Sequence, residues 1–110
     1  MFYIKKTIEV SGAHWLELDY PSKCIELHGH NWIITIYCRA KELDHNGMVV
    51  DFSEIKRRIF DKLDHNLIND VIPYNPTSEN IARWCQQQIE CCYRVDVQET
   101  SGNIATYEVD

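Results

Sequence analysis

Apolar and polar residues alternate along four segments of the chain, and this alternation predicts four β-strands. The first covers residues 2–10 and continues toward His14, and the second runs from residue 30 to about residue 41. The last two, residues 93–100 and 104–109, flank a Ser-Gly-Asn turn and form a predicted hairpin. Both faces of the second strand carry apolar side chains, so we expect both faces to be partly covered.

After Ser53 the apolar residues recur three or four positions apart, and this spacing predicts a helix with one apolar face. Ser53 is a suitable N-cap, and Glu54 suits the first turn because it complements the positive end of the helix. We expect this helix to end near residues 64–66.

A second helix is predicted after an irregular stretch, residues 67–76, that contains two prolines. Thr77 is the expected N-cap, and Ser78 lies in the first turn. The apolar stripe of this helix extends to Cys92.

The resulting order is strand, strand, helix, helix, strand, strand. This order predicts an α+β fold, in which two helices cover one face of a four-stranded antiparallel sheet. The 110 residues suffice for one hydrophobic core, so we expect a single domain over residues 1–110. A small sheet of this kind has two open edges, which favours oligomerisation.

Composition narrows the classes of function. The formal net charge of −6 argues against nucleic acid as a partner, because phosphate backbones require a basic surface. No apolar run approaches the length needed to cross a bilayer, and the first residues do not resemble a signal peptide. The odd number of cysteines, five, then suggests free thiols and a cytoplasmic location.

The strongest chemical signal is a pair of histidines, His28 and His30, at the start of the second strand. Residues two apart on a strand point to the same face, so both imidazoles project together. A catalytic zinc takes three protein ligands and keeps a fourth position open. If the first two strands pair in antiparallel fashion, His14 is the third ligand. The alternative is that these histidines are surface groups or hydrogen-bonded core groups.

Three further groups could take part in chemistry. Cys24 follows a lysine in a polar loop, and a positive environment favours the thiolate. Asp64 precedes His65, and a carboxylate can orient an imidazole, although a bare Asp-His pair is weak evidence. Glu99 ends a strand and could bind a guanidine-like edge through two parallel hydrogen bonds. Each could also be an ordinary surface residue.

Taken together, these segments resemble the 6-pyruvoyl-tetrahydropterin synthase family, and most of all its bacterial 6-carboxy-5,6,7,8-tetrahydropterin synthase branch. The resemblance spans nearly the whole chain and rests on motifs in a fixed order. They are Ala13-His14, residues 24–30, residues 47–52, Leu63-Asp64-His65, residues 67–69, residues 75–80, Glu99-Thr100 and Tyr107. Three residues separate Cys24 from His28, and this spacing resembles the carboxy branch.

The resemblance implies a tunnelling fold whose subunits join their sheets into a barrel, as trimers stacked into a hexamer. It implies that zinc is bound and that the following residues act: His14, His28 and His30 as metal ligands; Cys24, Asp64 and His65 as catalytic groups; and Glu99, Thr77 and Ser78 in substrate binding. The implied substrate is 7,8-dihydroneopterin triphosphate, and the implied products are 6-carboxytetrahydropterin, acetaldehyde and triphosphate.

Two other functions remain open at this point. A pyruvoyl-type triphosphate lyase would use the same fold and a related set of groups. A non-catalytic module that binds zinc or a pterin would keep the ligands but need neither Cys24 nor His65.

Overall fold

The computed structural model describes all 110 residues and has the α+β architecture that the sequence predicts. Four strands form one antiparallel sheet, and all the longer helical segments lie on one of its faces. The strands are β1 (Phe2–His14), β2 (His28–Ala40), β3 (Cys92–Thr100) and β4 (Asn103–Glu108). The helices are α1 (Phe52–Ile55), α2 (Asp61–Leu63), α3 (Ile68–Val71) and α4 (Ser78–Gln88).

The sheet follows chain order, β1-β2-β3-β4, with every neighbouring pair antiparallel. The β1–β2 ladder is continuous from Phe2 opposite Ala40 to His14 opposite His28. The β2–β3 ladder shifts register at Tyr37/Cys38, and the β3–β4 ladder shifts between Gln98 and Thr100. Both shifts place an extra residue on β3.

The structure confirms that the first strand ends at His14 and corrects the start of the second. Strand β1 spans Phe2–His14, and β2 begins at His28, two residues before the predicted start at residue 30. Gly12 and Gly29 interrupt the side-chain alternation, but their backbones still pair across the ladder. Backbone pairing, which the side-chain pattern does not report, sets these ends.

The first predicted helix is also different in detail. Its N-cap is Asp51, whose side chain accepts a hydrogen bond from the backbone N–H of Ser53, so Ser53 lies inside the first turn. Glu54 lies in that turn as expected. The segment is not one regular helix, because π-helical residues Lys56–Phe60 separate α1 from α2.

The second predicted helix, α4, has the expected N-cap. The Thr77 side chain accepts a hydrogen bond from the backbone N–H of Asn80. The helix ends at Gln88, and Cys92 begins β3 instead of extending the helical stripe. The short helix α3 lies in a stretch that the sequence suggested was irregular.

The core lies between the helices and one face of the sheet. On β2 the side chains facing the helices are completely buried or nearly so, and they are Trp32, Ile34, Ile36 and Cys38. The opposite face of β2 is only partly covered, as expected: Thr35 and Tyr37 are half-buried there, and Ile33 is 38% exposed. No helix is both long and apolar enough to cross a membrane.

Candidate metal centre and active site

Three histidines meet at one end of the β1–β2 ladder. His14 lies directly opposite His28 in the register, and His30 follows two residues later on the same face of β2. Each histidine contributes one ring nitrogen to this group, and the three nitrogens lie within 4.8 Å of one another. The antiparallel pairing of β1 and β2 therefore brings together the three residues predicted from the sequence to be metal ligands.

Backbone carbonyls orient two of these rings. His14 Nδ1 lies 2.9 Å from the carbonyl oxygen of Pro76, and His28 Nδ1 lies 2.7 Å from that of Glu26. A carbonyl oxygen only accepts, so each Nδ1 donates, and in the neutral rings each Nε2 keeps its lone pair.

The two Nε2 atoms lie only 2.9 Å apart. Two bare lone pairs repel at this separation unless a proton or a metal cation lies between them or beside them. Neutral imidazoles fixed through Nδ1 are the usual zinc ligands, and three of them match the ligand number of a catalytic site. The three histidines could therefore hold a metal ion, and their chemistry suits zinc.

The surroundings of His14 disfavour its charged form. Its side chain is fully buried, and this burial lowers the pKa, opposed by the hydrogen bond to Pro76. The ring of Trp32 packs edge-on against His14 and His30, with centroid distances of 4.9 and 5.2 Å. An apolar wall of this kind limits the access of water from the core side.

Glu99 lies at the edge of the histidine group. One carboxylate oxygen, Oε1, is 3.5 Å from His30 Nε2 and 3.7 Å from His14 Nε2. Glu99 is the extra residue at the β3–β4 register shift, and such a bulge redirects a side chain. It also lines a cavity of about 350 Å³ together with Ser78 and residues 102–105 of the β3–β4 hairpin.

Asp64 and His65 lie on the outer edge of β1. The Asp64 carboxylate accepts a hydrogen bond from the backbone N–H of Ser11 at 3.0 Å, and the His65 N–H donates to the Ser11 carbonyl. The other Asp64 oxygen is 3.1 Å from His65 Nδ1, so the carboxylate orients the ring. This ring is 76% exposed, and His65 has a left-handed backbone with φ of 58°.

Gly12 allows this loop to approach β1. A Cβ at Gly12 would lie 3.0 Å from the backbone oxygen of Asn66, closer than nine in ten real Cβ contacts, so the loop backbone would have to shift by a few tenths of an ångström. The Ala13 N–H donates to the same oxygen. The position of the Asp64–His65 pair thus depends on a residue without a side chain.

Comparisons with known proteins identify the family and the fold of this chain. The profile of the 6-pyruvoyl tetrahydropterin synthase family matches residues 3–110. The chain belongs to this family. A 6-carboxy-5,6,7,8-tetrahydropterin synthase of Bacillus subtilis is 27% identical over 123 aligned residues, covering 96% of this chain and 84% of that protein. Its counterpart in Rickettsia conorii is 31% identical, covering 97% of this chain and 77% of that protein.

A solved structure gives the same result for the fold. The 6-pyruvoyl tetrahydropterin synthase of Caenorhabditis elegans aligns with a TM-score of 0.76 at 25% identity, over 99% of this chain and 96% of that chain. The tunnelling fold predicted from the sequence is confirmed.

Cys24 lies outside the group of three histidines. It lies in a single 3₁₀ turn, Lys23–Ile25, where Ser22 caps the Cys24 N–H, and its side chain is exposed. The group of mutually close ligand atoms contains only the three imidazoles. Catalytic roles for Cys24, Asp64 and His65 stay predictions, as do substrate contacts of Thr77, Ser78 and Glu99.

Two asparagines, each in a motif of the family resemblance but with no role predicted for its side chain, hold the loop after His14. The Asn69 side-chain amide bonds both the N–H and the carbonyl of Trp15, each at 2.9 Å. Asn75 does the same for Glu17 at 2.9 and 3.0 Å. Between these clamps, the Leu16 N–H donates to the Cys24 carbonyl at 2.8 Å, so the clamps also fix the turn that carries Cys24. A turn-forming asparagine gives no sign of such a role in sequence.

Proposed function

We propose that this chain is a zinc-dependent 6-carboxy-5,6,7,8-tetrahydropterin synthase. It would convert 7,8-dihydroneopterin triphosphate into 6-carboxytetrahydropterin, acetaldehyde and triphosphate, with residues 1–110 forming one domain. The observation that carries the proposal is the three-imidazole group with Glu99 at its edge. The names of the Bacillus subtilis and Rickettsia conorii relatives support the choice of product.

The histidine group provides the centre of the proposed site. Zinc held by the three imidazoles would supply the Lewis acidity that polarises substrate oxygens. The hydrogen bonds from His14 and His28 to backbone carbonyls keep their Nε2 atoms aimed at one point before substrate arrives. This preorganisation avoids an entropic cost when the substrate binds.

Proton transfer falls to the other predicted catalytic groups. Cys24, as thiolate, would remove the proton from the side-chain carbon next to a polarised oxygen. His65 would give or take the second proton as the double bonds rearrange, and Asp64 would hold the ring through Nδ1.

Glu99 is the proposed anchor for the pterin ring. The ring presents two N–H donors along one edge, and a carboxylate accepts two parallel hydrogen bonds from such an edge. Glu99 lines a cavity of about 350 Å³, within the size range of small-ligand sites, and one of its oxygens also approaches the histidines. A ring bound there would place its side chain toward the proposed zinc, with Ser78 lining the same cavity and Thr77 next to it in the chain.

The proposed assembly is a hexamer built from two trimers. Its support is that the chain leaves one sheet face only partly covered, with Ile33 and Ile104 exposed there. Cys24 lies outside the histidine group, and His65 is exposed at the edge of β1. Neighbouring subunits would bring these groups to a shared site. The five free cysteines favour the reducing cytoplasm.

The test is a product assay with purified protein, zinc and 7,8-dihydroneopterin triphosphate, read by mass spectrometry. We expect acetaldehyde and 6-carboxytetrahydropterin in equal amounts. Cys24→Ala should lower turnover at least 100-fold, roughly the contribution of a general base, while Cys91→Ala serves as a matched thiol control.

Two outcomes would replace the proposal. A pyruvoyl product without acetaldehyde would indicate the second candidate, which the name of the Caenorhabditis elegans structure supports. Zinc and pterin binding without any turnover, in wild type and Cys24→Ala alike, would indicate a non-catalytic binding module.

A further inference from the structure

A group of cysteines lies at the opposite end of the β2–β3 pair from the histidines. Cys38 on β2 is directly opposite Cys92 on β3 in the register. Both side chains are buried, at 0% and 3% exposure. Directly opposed residues of antiparallel strands have Cα atoms about 4.5–5.5 Å apart, and disulfides span about 4.4–6.8 Å. The pair lies beside the register shift at Tyr37/Cys38, and its cross-strand placement is the one in which an intrachain disulfide can form.

The two thiols have unequal acidity. A hydrogen bond from the Cys38 thiol lowers the pKa of Cys92, although burial opposes this effect. The same hydrogen bond, together with burial, raises the pKa of Cys38. Of the two thiols, Cys92 is the one whose pKa is lowered, and its Sγ also donates a hydrogen bond to the Arg94 carbonyl oxygen at 3.4 Å.

A cavity lies beside Cys91, the residue next to Cys92 in the chain. Cys91, which is half-buried, lines a cavity of about 430 Å³ with Val49, Val50 and Ile89. Cys91 is adjacent to Cys92 in the chain, so a reagent in this cavity is one residue away from the nucleophile. A molecule as small as hydrogen peroxide fits this space easily.

We propose that Cys38 and Cys92 are a peroxide-sensitive dithiol that closes to an intrachain, cross-strand disulfide. Cys92 thiolate attacks one peroxide oxygen, the O–O bond breaks, and the departing hydroxide takes up a proton to give water. The Cys38 sulfur then attacks the Cys92 sulfenic acid, which forms the S–S bond, breaks the S–O bond and releases a second water. The two thiols lose two electrons and two protons, and peroxide is reduced to two waters.

The test uses the Cys24→Ser chain, which lacks the exposed thiol. Trypsin then releases residues 24–39 with Cys38 as their only cysteine and residues 84–94 with the other three. After treatment with hydrogen peroxide and alkylation, we expect these peptides to be linked, with fragmentation assigning the bond to Cys92. The intact chain should lose two hydrogen atoms, remain a single chain on a non-reducing gel, and recover both thiols with dithiothreitol.

Single substitutions in the same background identify the partners. Cys91→Ala should still form the bond, whereas Cys38→Ala and Cys92→Ala should not. A bond from Cys38 to Cys91 or Cys85 would overturn the assignment. So would stepwise oxygen addition without any linked peptides, and neither result depends on how well the core variants fold.

Discussion

Replacing His30 with alanine should remove the stabilisation by zinc while changing the metal-free protein little. The His30 side chain is 19% exposed, and its closest charged contact is Glu99 at 3.5 Å. Without metal, we expect His30→Ala to cost about 1 kcal/mol or less in the free energy of unfolding. His14→Ala should cost more, about 2–4 kcal/mol, because it leaves a cavity and an unpaired Pro76 carbonyl in a buried site.

The effect of zinc follows from mass action. At a free zinc concentration 100 times the dissociation constant, binding adds about 2.7 kcal/mol to the free energy of unfolding. For a domain of this size the corresponding rise in Tm is roughly 10–20 °C. If losing one of three ligands weakens binding about 100-fold, the gain at the same zinc concentration falls to about 0.4 kcal/mol.

The assay is urea unfolding of each protein in excess chelator and in buffered zinc, with metal content measured in parallel. The matched control is His45→Ala, because His45 is exposed in the turn after β2 and should leave the zinc effect intact. If His30→Ala kept the full wild-type gain in zinc, the three-imidazole site would be refuted.

Three more substitutions separate stability from function. His65→Gly relieves a left-handed backbone and should not lower the unfolding free energy measured in urea, yet turnover should fall about 100-fold or more. Glu99→Gln should raise KM at least about tenfold in steady-state assays without lowering zinc content, since a charged hydrogen bond to the pterin is lost. Partial burial would raise the pKa of Asp96, but hydrogen bonds from three neighbouring side chains leave it lowered. Wild type should therefore be more stable than Asp96→Asn at pH 7, and this advantage should shrink as the pH falls below about 3.9. Urea unfolding of both proteins at pH 7 and at a pH below that value would measure the change.

The centre of the site could be predicted because it depends on two regular features of strands. Residues two apart share a face, which joins His28 to His30. Antiparallel pairing then places His14 directly opposite His28. The fold was predictable for a similar reason, since alternation and helical spacing mark which side chains enter the core. The α+β order and the one-sided placement of the helices are both confirmed.

The unpredicted parts depend on backbone groups and on contacts between distant segments. The carbonyls of Pro76 and Glu26 fix two imidazoles, and any residue type supplies a carbonyl. The asparagine clamps at Asn69 and Asn75 form only when a loop 54–58 residues away in the chain lies against them. The π-helical break between α1 and α2 could not be predicted either. The buried apolar residues on both sides of it keep the spacing of an uninterrupted helix.

The positions of the predicted catalytic groups argue for a site that one chain cannot complete. His65 is held in an unfavourable backbone conformation, at a cost of order 1 kcal/mol, by hydrogen bonds to Ser11 on the edge of β1. If the histidine side chain had no role, glycine or asparagine at this position would adopt the left-handed backbone at a lower conformational cost. The resulting ring is oriented by Asp64 and is 76% exposed. We therefore propose that this ring is presented to a neighbouring subunit, and we propose the same for Cys24, which is exposed in its own turn.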